Sequence, residues 1–316
     1  MFYLRHPLSE MKQYTFLSLS VLGAVSIYAT VAAAPAFAAP PSGCAVVSRA
    51  SGQETAQGVT YQNLVLRTPD GDTTFKAGHL TLHGSGETPE ATHDLADAAS
   101  LLLMSAMTGH HNAACTDWLN TQGKRVLAGL QAGKSYDLTW QNATLTHGAA
   151  QVSVNTARYQ MQGGSATASA SLGMDGVSFH NVANQDLLPS AAHATFSLPA
   201  AEVPALMSAI GGRSASAPAV HATISSFDAT QGDSSLHGNG VATLTGNVNN
   251  TSASGHLEIT NLETLIDKAR TAKQMKLAAG MVVARLVSHK HGEQNTWDTK
   301  WESGVLTVNG FPIPLK

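Results

Sequence analysis

Hydrophobic and polar positions alternate over much of this chain, and in three regions the alternation gives way to helical spacing. Leu64 and Leu66 fall two residues apart, and Pro69-Asp70-Gly71-Asp72 then supplies a tight turn. The pattern predicts a return strand over 73–83 with Leu80 and Leu82 on one face. From Thr88 the period changes. Thr88 is a candidate N-cap, Pro89 suits the first turn and Glu90 complements the helix dipole. Leu95, Ala98, Ala99, Leu102, Leu103 and Ala106 then recur at helical spacing as far as Gly109. A second helix is expected over 113–132, closed by Gly133.

Strands resume with Tyr136, Leu138 and Trp140. Val152 with Val154 and Tyr159 with Met161 follow after a turn at Gly148. These last two pairs are out of phase, which predicts a β-bulge near Ala157. Further strands are expected over 166–172, 177–182 and 194–198, then a helix over 202–210 that Gly211-Gly212 stops. The plan repeats with strands over 220–227, 234–245 and 255–260. Asn261 then caps one long helical stretch carrying Leu262, Leu265, Ile266, Ala269, Leu277, Val282, Val283 and Leu286. Two strands close the chain. Trp297 and Trp301 share a face of the first, Leu306 and Val308 share a face of the second, and Glu302-Ser303-Gly304 joins them. The tryptophans are expected to bury against the 277–286 helix. The fold class expected is α+β and β-rich: one elongated, curved antiparallel sheet over 39–316, with helices packed on one side or at the ends of strand groups.

The first 38 residues follow another logic. Lys12 precedes an uncharged apolar run over 16–34; Pro35 breaks it, and Ala36-Phe37-Ala38 forms a small-x-small cleavage site. This is a signal-peptide pattern, with Met11 an alternative start and Ala39 the expected mature N-terminus. An uncleaved anchor is the competing reading, because the run is near the ~20 residues that span a bilayer. Cys44 follows Pro41-Ser42-Gly43 and lacks the apolar residue of a lipobox. The expected location is the periplasm or cell envelope.

Removing Arg5, Lys12 and Glu10 leaves 16 basic and 20 acidic side chains, a mild balance. There is no basic stripe with interleaved aromatics, so nucleic acid is not an expected partner. Cys44 and Cys115, the two cysteines of an exported chain, are expected to form one disulfide.

Candidate chemistry is sparse. His110 and His111 lie near Cys115, His79 and His83 share a strand face, and His289 and His291 form another pair. Zinc takes such nitrogen and sulfur ligands, but the spacing matches no standard site and a disulfide would consume Cys115. Solvated histidines are the simpler reading, and neither metal nor another cofactor is expected. The segment 128–135, AGLQAGKS, resembles a phosphate loop with its surroundings inverted, since a helix precedes and a strand follows. His83 to Glu87, HGSGE, only echoes a serine-hydrolase elbow. Asn142 and Asn249 begin glycosylation sequons. No catalytic residue is assigned, and a non-enzymatic role is expected.

The C-terminal segments SGHLEITNLETLID and WDTKWESGVLTVNGFPIPLK resemble an alphaproteobacterial family of exported proteins of unknown function. More distantly they are similar to the AsmA-like envelope superfamily, whose members are much longer than this chain. The resemblance implies a curved β-sheet with a lipid-holding groove, an envelope location, and no catalytic residues. Two readings follow: an envelope protein that contacts lipid peripherally through an apolar groove, or a scaffold that binds envelope proteins. A hydrolase or metalloprotein stands behind both. An apolar sheet face left open by the helices would favour the first.

Overall fold

A computed structural model of the chain describes residues 39–55, 58–83, 87–109, 111–212, 218–245 and 250–313. The segment read as a signal peptide, 1–38, lies outside them. Phe37–Lys316 form one compact unit.

Its frame is an open, curved antiparallel sheet. Among the described residues it has 14 strands: β1 (Val46–Thr55), β2 (Gly58–Arg67), β3 (Thr73–His83), β4 (Tyr136–His147), β5 (Ala150–Gly163), β6 (Thr167–His180), β7 (Ala191–Pro199), β8 (Val220–Gln231), β9 (Ser234–Leu244), β10 (Ser252–Thr260), β11 (His289–His291), β12 (Gln294–Glu302), β13 (Val305–Val308) and β14 (Phe311–Ile313). Strands adjacent in sequence are adjacent in space, except that β10 pairs with β12, while the short β11 pairs only with the first residues of β12. The helices occupy three connections. Helices α1 (Pro89–Thr108) and α2 (Thr116–Gln131) lie between β3 and β4, α3 (Val203–Gly211) between β7 and β8, and α4 (Leu262–Thr271) and α5 (Met275–Leu286) between β10 and β11.

Local chemistry accounts for these elements. The Thr88 side chain accepts the Ala91 amide at the start of α1, with Pro89 in its first turn. The turn before β3 is held by Asp70, which accepts the Thr68 hydroxyl at 2.5 Å and the Asp72 amide at 3.0 Å. Ser303 and Gly304, then Asn309 and Gly310, have paired positive φ angles, as two-residue hairpin turns require.

Several expectations need correction. Among the described residues four strands, β11 to β14, close the chain where two are expected, and of the two tryptophans Trp297 is buried while Trp301 is only half-buried. β1 is not among the expected strands, because Arg49, Gln53 and Glu54 give this edge strand a polar sequence. The strands expected over 166–172 and 177–182 are one strand, β6, which runs through Gly173 and Gly176. The long C-terminal helix is two helices: the chain breaks at Lys273, whose φ is 58°, with neither glycine nor proline to mark the place. Asn261 does precede α4, but its side chain caps nothing there; it takes φ 57° and donates to the Asp233 carbonyl at 2.7 Å.

The phase change read as a bulge near Ala157 is a larger feature. β4 and β5 keep one register from Tyr136↔Met161 to His147↔Ala150. Buried positions shift phase in both strands at the same level, from Trp140 to Ala143 in β4 and from Val154 to Ala157 in β5. The same step occurs between Tyr61 and Leu64 in β2 and between Ala77 and Leu80 in β3. The registers align Asn63, Gly78, Asn142, Asn155 and Gly176 in one row across β2 to β6. Asn63, Asn142 and Gly176 have positive φ. Every strand in the row carries the extra residue, so the ladder stays in step and no register shift results.

Directly paired residues place the apolar side chains on one face. A single row runs Val59, Leu82, Leu138, Tyr159, Leu172, Ala194, Phe227, Gly238, Leu257, Trp297 across ten strands. Helices α1, α2 and α3 cover its first part and build the main core with Leu64, Leu66, Phe75, Leu80 and Trp140. Helices α4 and α5 cover the other end through Leu262, Ile266, Trp297 and Val308. Between these caps Ile224, Phe227 and Leu236 on β8 and β9 are only half-buried.

Candidate functional site

The most distinctive feature of the covered face is a cavity between α1, α3 and the sheet. Helix α1 contributes Ala99, Leu102, Leu103 and Ala106, and α3 contributes Val203, Leu206, Met207 and Ile210. Each set has the spacing i, i+3, i+4, i+7, so each is one helical stripe. The floor is Trp140, Tyr159, Met161, Leu172 and Phe196 from four consecutive strands. Its volume is about 160 Å³. A smaller space of about 50 Å³ adjoins it beneath α1 and α2, sharing Ala99, Leu102, Tyr159, Met161 and Met207. The void exists because Ala99 and Ala106 stand where larger side chains would meet the floor. Leu172, Phe196 and Ile210 are half-buried and Ala106 is exposed, so the cavity reaches solvent on the side of β6 and β7.

Its polar atoms are occupied. Trp140 donates its indole N–H to Ser100 Oγ at 2.9 Å, away from any ligand. The Tyr159 hydroxyl lies 3.7 Å from Met161 Sδ, and burial holds it above the ordinary phenol range, so it stays protonated. The lining offers hydrocarbon surface and no ionised group. It can hold an apolar chain, and it carries no nucleophile or general base.

A buried ionic cluster lies beside this core, and the sequence reading missed it. Asp94 and Asp97 are buried on α1. Arg49 on β1 donates to Asp97 at 2.5 Å and lies 5.2 Å over the Tyr61 ring. Arg125 on α2 lies 3.6 Å from Asp94 and donates to the Ala91 carbonyl. Burial raises the Asp97 pKa to about 6, and Arg49 offsets only part of that rise. Burial likewise raises Asp94 and lowers Arg125, each opposed by the other's charge. The cluster ties β1 and α2 to α1, a structural task. Its signal in the sequence is two carboxylates three residues apart inside an apolar helix.

Cys44 and Cys115 are joined by a disulfide, with Cα atoms 4.7 Å apart. Asn112 reinforces the link by donating to the carbonyls of Gly43 and Cys44. Of the metal candidates, His110 lies outside the described residues. His111 is exposed and donates from Nδ1 to the Ile210 carbonyl at 2.9 Å. His79, His83, His289 and His291 are exposed. Four other histidines meet one carboxylate each: His193 with Asp175, His221 with Glu202, His237 with Asp228 and His256 with Asp298. Among the described residues no three His, Cys, Asp or Glu side chains form a metal-holding group. The loop over 128–135 is the end of α2: Gly133, at φ 78°, donates to Leu130 and closes the helix, while Lys134 pairs with Glu87 at 2.7 Å. Residues 84–86 of the hydrolase-like echo and Asn249 lie outside the described residues.

No helix of the described residues is long and apolar enough to cross a membrane, and the disulfide is compatible with an oxidising, exported location. In comparisons with family models, with curated proteins and with solved structures, the chain matches none.

Proposed function

We propose that this is a non-enzymatic protein of the cell envelope that holds lipid hydrocarbon in the cavity between α1, α3 and the sheet. The observation that carries this reading is an almost entirely apolar void of about 160 Å³ whose lining is solvent-exposed at one side. A dry apolar cavity of this size takes up benzene-sized hydrocarbon, so it suits one end of an acyl chain. The rest of the chain would leave past Leu172 and Phe196 along the half-buried row toward Phe227. The export pattern, the likeness of the C-terminal segments to envelope proteins and the absence of an ionised group in the lining agree with this reading.

The test is to purify the protein from the envelope of its own host, extract it with organic solvent and identify acyl chains by mass spectrometry. Acyl chains in stoichiometric amount are expected. Ala99→Leu, which fills the void from α1, should lower that content severalfold while the protein stays folded. Protein free of acyl chains that also fails to bind a fluorescent fatty acid sinks the proposal.

A further inference from the structure

Helix α5 leaves an apolar stripe uncovered. Ala278, Met281, Val282 and Ala284 turn toward the C-terminal core. Met275, Ala279, Val283 and Leu286 recur at i, i+4, i+8 and i+11, which is one face of a helix, and all four are exposed. Met275 is 63%, Val283 50% and Leu286 79% exposed. Phe311 on β14 is a further exposed apolar side chain, 60% exposed. It pairs with Val308 and so shares the sheet face that α5 covers, and Asn309 beside it donates to the Val287 carbonyl at the end of α5. Single exposed apolar residues are ordinary, whereas a contiguous row marks an interaction surface.

Charge identifies the partner. Residues 268–290 contain Lys268, Arg270, Lys273, Lys276, Arg285 and Lys290 and no carboxylate, in a chain whose 21 carboxylates outnumber its 18 Lys and Arg. Asp267 pairs with Arg270 and Glu263 with Arg285. The four lysines have no ion-pair partner among the described residues. Lys273 stands at the corner between α4 and α5, and Lys276 borders the stripe. An apolar helical face bordered by unpaired lysines suits the headgroup boundary of an anionic bilayer, where hydrocarbon lies below and phosphate above.

We infer that α5 seats the protein on an anionic membrane surface. Met275, Val283 and Leu286 enter the acyl boundary, and the exposed Lys273, Lys276 and Lys290 meet the phosphates. This surface is separate from the α1–α3 cavity, and the inference does not rest on what that cavity holds.

The experiment is sedimentation of residues 37–316, the compact unit, with vesicles of phosphatidylcholine alone or mixed equally with phosphatidylglycerol. Binding to the mixed vesicles and not to the neutral ones is expected, and it should weaken with salt. Val283→Gln with Leu286→Gln should reduce binding at least about tenfold. Lys273→Gln and Lys276→Gln should each reduce it about fivefold, the factor for one lysine at an anionic surface. All four positions are surface-facing, and unchanged circular dichroism confirms that the variants fold. The acyl content of the Val283/Leu286 double variant should match the parent, which separates this surface from the cavity. Absence of binding to the mixed vesicles at low salt overturns the inference, as does binding that the Val283/Leu286 variant retains. A dimer that Leu286→Gln dissolves, with no vesicle binding, also overturns it and assigns the stripe to a second copy of the chain.

Discussion

Trp297 donates its indole N–H to the carbonyl oxygen of Ala284 across 2.7 Å, fastening β12 to α5. The carbonyl lies in the last turn of the helix, where backbone acceptors lack helical partners. The ring meanwhile fills the small core of Leu262, Ile266 and Val308. Trp297→Ala should therefore cost about 3–5 kcal/mol. Trp301, on the same strand face but half-buried, should cost clearly less. Chemical denaturation of the two variants checks the ranking; equal losses would mean that the α5 contact is not what holds this end of the sheet.

The Cys44–Cys115 bridge closes a loop with a sequence separation of 71 residues. In the chain-entropy account a loop of that length stabilises the native state by about 4 kcal/mol. Cys115→Ser should lower the melting temperature and expose the segment before β1 to protease first, because only non-covalent contacts, the Asn112 hydrogen bonds and the packing of Ala45 among them, would then hold it. A variant as stable and as protease-resistant as the parent would show that the bridge is dispensable.

Much of this fold is legible in the residues, and the exceptions have physical causes. Leu80 and Leu82, or Tyr136, Leu138 and Trp140, announce their strands because one sheet face is buried and the other is not. β1 lies at an edge, and Arg49 there reaches Asp97 instead of filling the core, so its sequence carries no alternation. The cavity is hidden for another reason. Ala99 and Ala106 read as ordinary helix residues, and only their placement opposite α3 and above Tyr159 and Phe196 turns small side chains into a void. The break between α4 and α5 falls at lysine, a residue that favours helices, so propensity points the wrong way.

Asp97 links stability to pH. Its pKa is about 6 in the folded protein against an ordinary value of 3.8, because burial disfavours the carboxylate more than Arg49 favours it. Between those pH values the native state holds a proton that the unfolded chain has released. Stability from this group therefore rises as pH falls from about 6 toward 4, and it is lost above 6. The full effect is up to about 3 kcal/mol. The urea midpoint of the parent should rise between pH 7 and pH 5 through this contribution, which Asp97→Asn should remove. An identical pH profile in the two proteins would place the titration elsewhere.

The row from Asn63 to Gly176 makes the inside–outside phase of five strands interdependent. Asn142, at φ 52°, adds one residue to β4 and moves Ala143 and Leu145 back to the core face. That shift fits only because Asn155 opposite it and Gly78 behind it do the same. Asn142→Gly keeps the backbone and should be nearly neutral. Asn142→Val puts a β-branched residue in the left-handed region and should cost about 1–3 kcal/mol. Gly176 is more constrained, since φ is 63° and a Cβ there would collide with the Asn155 side chain. Gly176→Ala should destabilise by a similar or larger amount, and Asn155→Gly in the same chain should restore the part due to the collision. The double-mutant cycle measures that coupling. Additive losses would show that backbone strain at Gly176 is the whole cost. A coupling of about 1 kcal/mol or more would show that neighbouring strands enforce the row on one another.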